Sequence, residues 1–103
     1  MNNMTEVKEI IEHIFVDSQD DTWRKATNMV RESVEGTFSR IHTCNIGTVG
    51  ELKHAIYTDI QNMVASFFKD KEYDKPLVKS ISKIAIEIND VLLQYQLRYF
   101  GWR

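Results

Sequence analysis

The residues of this chain best able to do chemistry gather in one stretch, NIGTVGELKHAI, residues 45 to 56. Gly47 and Gly50 stand three apart, Glu51 and His54 make a Glu-x-x-His pair, and Thr48 and Glu51 make a Thr-x-x-Glu pair. A Gly-x-x-Gly turn between two helices can clamp a nucleic-acid backbone. A carboxylate and an imidazole three residues apart share one helix face, which is how helical bundles present metal ligands. Thr-x-x-Glu is also the capping box, in which the two side chains satisfy free backbone N–H groups at a helix start. The same residues thus serve phosphate binding, metal binding or simple helix initiation.

Ile46 to Gly50 resembles the Gly-x-x-Gly loop of KH domains. Thr48 and Val49 replace the basic residues usual between those glycines, and Glu51 follows, a carboxylate that repels phosphate. A Walker loop is absent, since no Gly-Lys-Ser/Thr occurs. Di-iron bundles need two Glu-x-x-His pairs and two further glutamates. Here Glu9 with His13, and His42 with Cys44, lie on other segments and build no motif. No resident metal or cofactor is expected, and no Ser-His-Asp or Cys-His nucleophile pattern is legible.

A longer echo joins TVGELKHAI to EINDVLLQY. Together they resemble, in degenerate form, the MazG-like all-α nucleotide pyrophosphohydrolases. That family pairs Glu-x-x-Glu on one helix with Glu-x-x-Asp on another to hold Mg²⁺ against a nucleoside triphosphate. The resemblance implies Glu51, Glu87 and Asp90 as the catalytic carboxylates and Mg²⁺ as cofactor. Thr48 stands where the first glutamate belongs, and Glu87 lies further from Glu51 than the family spaces its motifs.

Two further constellations lie near the C-terminus. Lys75, Lys79 and Lys83 repeat every four residues and could receive a small anionic or nucleotide ligand, though a solvated helix face explains them better. Tyr95, Tyr99, Phe100 and Trp102 cluster with Arg98 and Arg103, the residue types that anchor protein interfaces.

The elements that must position these groups read as helices. Residues 5 to 16 carry Val7, Ile10, Ile11, Ile14 and Phe15 at helical spacing, with Thr5 as N-cap. Asp20 or Asp21 caps a second helix burying Trp23, Ala26, Met29, Val30 and Val34, which ends or kinks at Gly36. A third runs from about Val49 to Lys69, with Leu52, Ile56, Ile60, Met63, Val64 and Phe67 along one stripe. Pro76 suits the first turn of a fourth.

Residues 77 to 100 fit two periods. As a helix they align Leu77, Ile81, Ile84, Ile88, Val91, Tyr95 and Tyr99, and leave Ile86, Leu93, Leu97 and Phe100 as a second apolar face. As strands, IAIEI and VLLQYQLRYF alternate well about Asn89-Asp90. The coherent polar stripe Lys79, Lys83, Glu87, Asp90, Gln94, Arg98 favours the helix. The expected fold is therefore all-α, a bundle of three to four helices in one domain over residues 1 to 103. The alternative is α+β with a C-terminal β-hairpin formed by residues 80–100.

The totals narrow the function. A chain of 103 residues, 43% hydrophobic and 27% charged, with four glycines and one proline, suits one soluble domain rich in regular structure. The net charge is −2, which does not suit a nucleic-acid binder. It divides unevenly: residues 1 to 21 hold six acids against Lys8, and the rest of the chain is net basic. That division permits head-to-tail contact between copies. Cys44 is the one cysteine, which fits a reducing compartment. MNNMTEVKEI lacks the order of a secretory signal, and no apolar run nears the ~20 residues of a membrane span, so cytoplasm is expected.

The expectation is a small cytoplasmic interaction module: an adaptor, inhibitor or assembly component, of a size common among phage and mobile-element proteins. Its partner would be a protein. It would self-associate through the C-terminal helix, using Ile86, Leu93, Tyr95, Leu97, Tyr99, Phe100 and Trp102. The alternatives are the Mg-dependent pyrophosphohydrolase and an oligomeric binder of an anionic ligand.

Overall fold

Local capping signals start the last three helices of the chain. The computed structural model describes residues 2–15, 20–41, 43 and 45–99. It contains α1 (Asn2–Glu12), α2 (Asp21–Ser39), α3 (Val49–Phe67) and α4 (Lys75–Tyr99), with no strand among the described residues. Asp20 caps α2: its carboxylate accepts from the Thr22 and Trp23 backbone N–H groups at 2.9 and 3.3 Å. Asp74 does the same for α4, accepting from Leu77 N–H at 3.1 Å, and Pro76 sits in the first turn as its missing N–H permits.

Three boundaries differ from the spacing-based expectation. The first helix begins at Asn2, so Thr5 lies inside it and is not its N-cap. It ends at Glu12, after which tighter i to i−3 bonds from Ile14 to Ile11 and Phe15 to Glu12 carry Phe15 into the core. α3 stops at Phe67, and Phe68 turns out to stack edge-on against Tyr73 with centroids 5.0 Å apart.

Gly36 does not interrupt α2, which continues through it to Ser39. A Cβ added there meets nothing within 4 Å, so the glycine serves no close approach. Gly36→Ala is accordingly expected to raise the unfolding free energy by about 1 kcal/mol, through helix propensity alone. Chemical denaturation of the two proteins checks this; an unchanged or lower midpoint contradicts it.

The helical period of the C-terminal segment is settled by burial. A strand would place Ile84, Ile86 and Ile88 on one face. Instead Ile84 and Ile88 are each 1% exposed and Ile86 is 56% exposed. The residues that go inward are Leu77, Ile81, Ile84, Ile88, Leu92 and Tyr95, in steps of three and four. Leu92, not Val91, fills the fifth place, Val91 remaining half-buried. The hairpin alternative is thereby overturned. Asn89-Asp90 has no glycine to favour a two-residue turn, and the continuous helix buries Leu77, Ile81, Ile84, Ile88, Leu92 and Tyr95 together.

α4 is the central element, packing against α2, α3 and α1. Its inner face meets Val7 and Ile11 of α1, Ala26, Val30 and Val34 of α2, and Leu52, Ile56, Ile60 and Val64 of α3 in one core. No helix among the described residues is long and apolar enough to cross a membrane.

Candidate functional site

Because α4 is covered on its inner side only, its period leaves a second stripe outside. Ile86, Leu93 and Leu97, separated by seven and four residues, share that outer face and are 56%, 39% and 46% exposed. Lys75, Lys79 and Lys83 continue the face toward the N-terminus of α4, all exposed. Glu87, Asp90, Gln94 and Arg98, also exposed, run along one flank. The outer face is thus basic in its first half and apolar in its second.

Tyr95 does not belong to this face. It is 5% exposed, on the core side, and its hydroxyl donates to Glu6 Oε2 of α1 at 3.3 Å. Its place in the inner stripe decides its position, since 88, 92 and 95 follow the buried period. The side chain of Tyr99, and Phe100 and Trp102 as a whole, lie outside the described residues, as do His42 and Cys44. Ile86, Leu93 and Leu97 are the expected contact residues that the structure places together on the surface.

The Thr48–Glu51 segment folds as a helix start. Thr48 Oγ1 accepts from Glu51 N–H at 3.1 Å, the capping bond expected. The reciprocal arm differs: the Glu51 carboxylate accepts from the Thr48 hydroxyl at 3.0 Å, so both bonds meet at one oxygen. Gly50 has a packing reason. A Cβ there would stand 3.2 Å from Gln96 Nε2, where the first turn of α3 approaches α4.

A shallow cleft opens beside this start, bordered by Arg40, Ile46, Gly50, His54 and Asp59. Arg40 and Asp59 engage each other at its edge. Asp59 accepts from the Arg40 guanidinium and from the Thr37 hydroxyl, and Thr37 also has the Ser33 carbonyl at 3.0 Å. Sequence inspection missed this junction, because Thr37 and Asp59 sit on different helices. Its only trace was Thr37 at the next position of the α2 core stripe after Val30 and Val34.

The carboxylates implied by the pyrophosphohydrolase resemblance do not assemble. Glu51 is exposed at the N-terminus of α3, while Glu87 and Asp90 point outward from α4. Among the described residues no three of His, Cys, Asp and Glu form a group that could hold a metal ion. Glu51 with His54 on α3, and Glu9 of α1 with His13 in the turn after it, therefore remain isolated pairs. The lysines present three cations to solvent from one side of α4.

Electrostatics elsewhere is structural. Arg31 lies over the Phe15 ring, 5.0 Å from its centroid, with Nε 3.8 Å from Glu12 Oε2. Lys8 sits over Phe38 at 5.8 Å. These contacts join the N-terminal segment to α2 beside the shared core.

No family model matches this chain, and neither a curated protein nor a solved structure matches it.

Proposed function

We propose that this chain is a helical protein-interaction module that self-associates through the outer face of α4. The observation that carries this is the exposed stripe of Ile86, Leu93 and Leu97 on a helix whose other side already forms the core. Large apolar residues exposed singly are ordinary on a monomer, but three aligned on one helix form a patch of the kind that marks docking surfaces. Such a face fits the helix-to-helix mode of recognition, with anchors at helical spacing.

An adaptor, an inhibitor or an assembly component would each use such a face, and the single cysteine suits a reducing, cytoplasmic setting. The other large apolar side chains exposed among the described residues, Tyr57 and Phe68, lie apart from this stripe, and Arg40 and Asp59 beside the shallow cleft are paired with each other. Three side chains per copy make a modest interface, in the range of weak or transient association, with a dissociation constant on the order of micromolar.

Leu93→Glu tests the face. The unaltered chain is expected to elute larger than its 12.1 kDa at tens of micromolar, and Leu93→Glu to elute as a single chain. Its helical circular dichroism should stay as before, and so should its unfolding midpoint at a concentration where the parent is monomeric, since Leu93 is not in the core. If the variant associates as strongly as the parent, another surface carries the contact.

A further inference from the structure

The order of charges along α4 says what covers its apolar half. Glu87 stands at the start of that half and Arg98 at its end, on the same flank. Lys75, Lys79 and Lys83 precede it. None of the ion pairs among the described residues includes any of these five groups.

We propose that the occupant is a second copy of this chain, its α4 antiparallel to the first about a two-fold axis that passes between Leu92 and Leu93. In this arrangement Glu87 meets the partner's Arg98. The inference rests on the docking face proposed above and adds which molecule covers it and in which direction.

A two-fold axis across two antiparallel helices brings each flank against the same flank of the other copy. Setting Glu87 opposite the partner's Arg98 fixes the register, and symmetry supplies the second pair. In that register Leu93 lies beside the partner's Leu93 at the axis. Ile86 falls within one turn of the partner's Leu97, on a helix that rises about 1.5 Å per residue. The apolar and ionic pairings therefore come from one register. Lys83 then lies within about one turn of the C-terminal end of the partner's α4, where the helix dipole favours cations, while Lys79 and Lys75 extend past that end.

A parallel pair would do the opposite. It would turn each flank toward the opposite flank, leaving Glu87 and Arg98 apart from each other's copies, and would set three lysines against three lysines along the face, which is repulsive. The charge order is thus self-complementary in one direction only. A partner of other sequence would require a matching acidic and apolar pattern; a second copy supplies its own match.

Three measurements on the full chain test this. Light scattering establishes whether self-association occurs at all; a single-chain mass at every concentration overturns both this arrangement and the docking face. Glu87→Arg and Arg98→Glu, made singly, should each weaken the dimer about tenfold, because two symmetric pairs change from attraction to repulsion. The double variant Glu87→Arg with Arg98→Glu should restore it. Dimers unaffected by either single change, or not restored by the double, overturn the arrangement while leaving self-association standing.

Cysteine pairs read the direction independently, in a Cys44→Ser background. Leu93→Cys should oxidise to a covalent dimer. Ile86→Cys should not cross-link to itself but should do so when mixed with Leu97→Cys. Self-cross-linking of Ile86→Cys would show a parallel pair and contradict the proposal. Growth beyond two copies would point instead to head-to-tail contact between the lysines and the acidic α1, also contradicting it.

Discussion

Leu92→Ala is expected to lower the unfolding free energy by about 3 kcal/mol, while Leu93→Ala, one residue on, should change that of the single chain by less than about 0.5 kcal/mol. Leu92 is fully buried at the centre of the bundle, on the face of α4 that meets the other three helices. Its removal loses apolar burial and leaves a cavity that side chains anchored on separate helices cannot easily fill. Leu93 points the other way and makes no comparable contacts. Urea denaturation of both variants, at a concentration where the protein is monomeric, checks the pair. Equal losses at the two positions would show that α4 is not turned as described.

The second large effect concerns the α2–α3 junction. Asp59→Ala should cost about 2 kcal/mol, because the carboxylate accepts from the fully buried Thr37 hydroxyl and from Arg40. The Thr37 share should dominate. Arg40 is half exposed, with 51% of its side chain accessible, so water competes for its guanidinium and the ion pair alone is worth less than about 1 kcal/mol. Arg40→Ala is therefore expected to be the mildest of the set, and Thr37→Val to fall between. Thermal or urea unfolding of the three variants measures the order. An Arg40→Ala loss as large as that of Asp59→Ala would place the energy in the ion pair instead.

The helical architecture was legible in the sequence because its signals are local. Asp20 and Asp74 cap helices by their own side chains, and the apolar steps of α3 and α4 are long enough to fix a period. The segment of greatest ambiguity, residues 80–100, resolved through Ile86, which a strand would bury and the helix exposes. Where expectation and structure part, the cause is tertiary. Thr5 has a capping side chain, but three further residues precede it in the helix. Gly36 is a poor helix residue locally, yet the core contacts of Val30, Val34 and Thr37 carry α2 through it.

The site was only partly legible for the same reason. Ile86, Leu93 and Leu97 follow from the period of one helix. Tyr95 was drawn to the interface by its aromatic character, but its position in the inner stripe decides its burial. The segment richest in recognisable patterns, Asn45 to Ile56, starts a helix, and its Glu51 is occupied in capping. The Thr37–Asp59–Arg40 contact joins residues far apart in the chain, which no spacing rule reveals.

The central claim is that the outer face of α4 is covered by another copy of the chain. Light scattering of the unaltered protein across a concentration series from about one to several hundred micromolar, spanning the expected association range, tests it most directly. A mass rising from 12.1 kDa to twice that value and no further is the predicted result. A mass that stays at one chain throughout contradicts it.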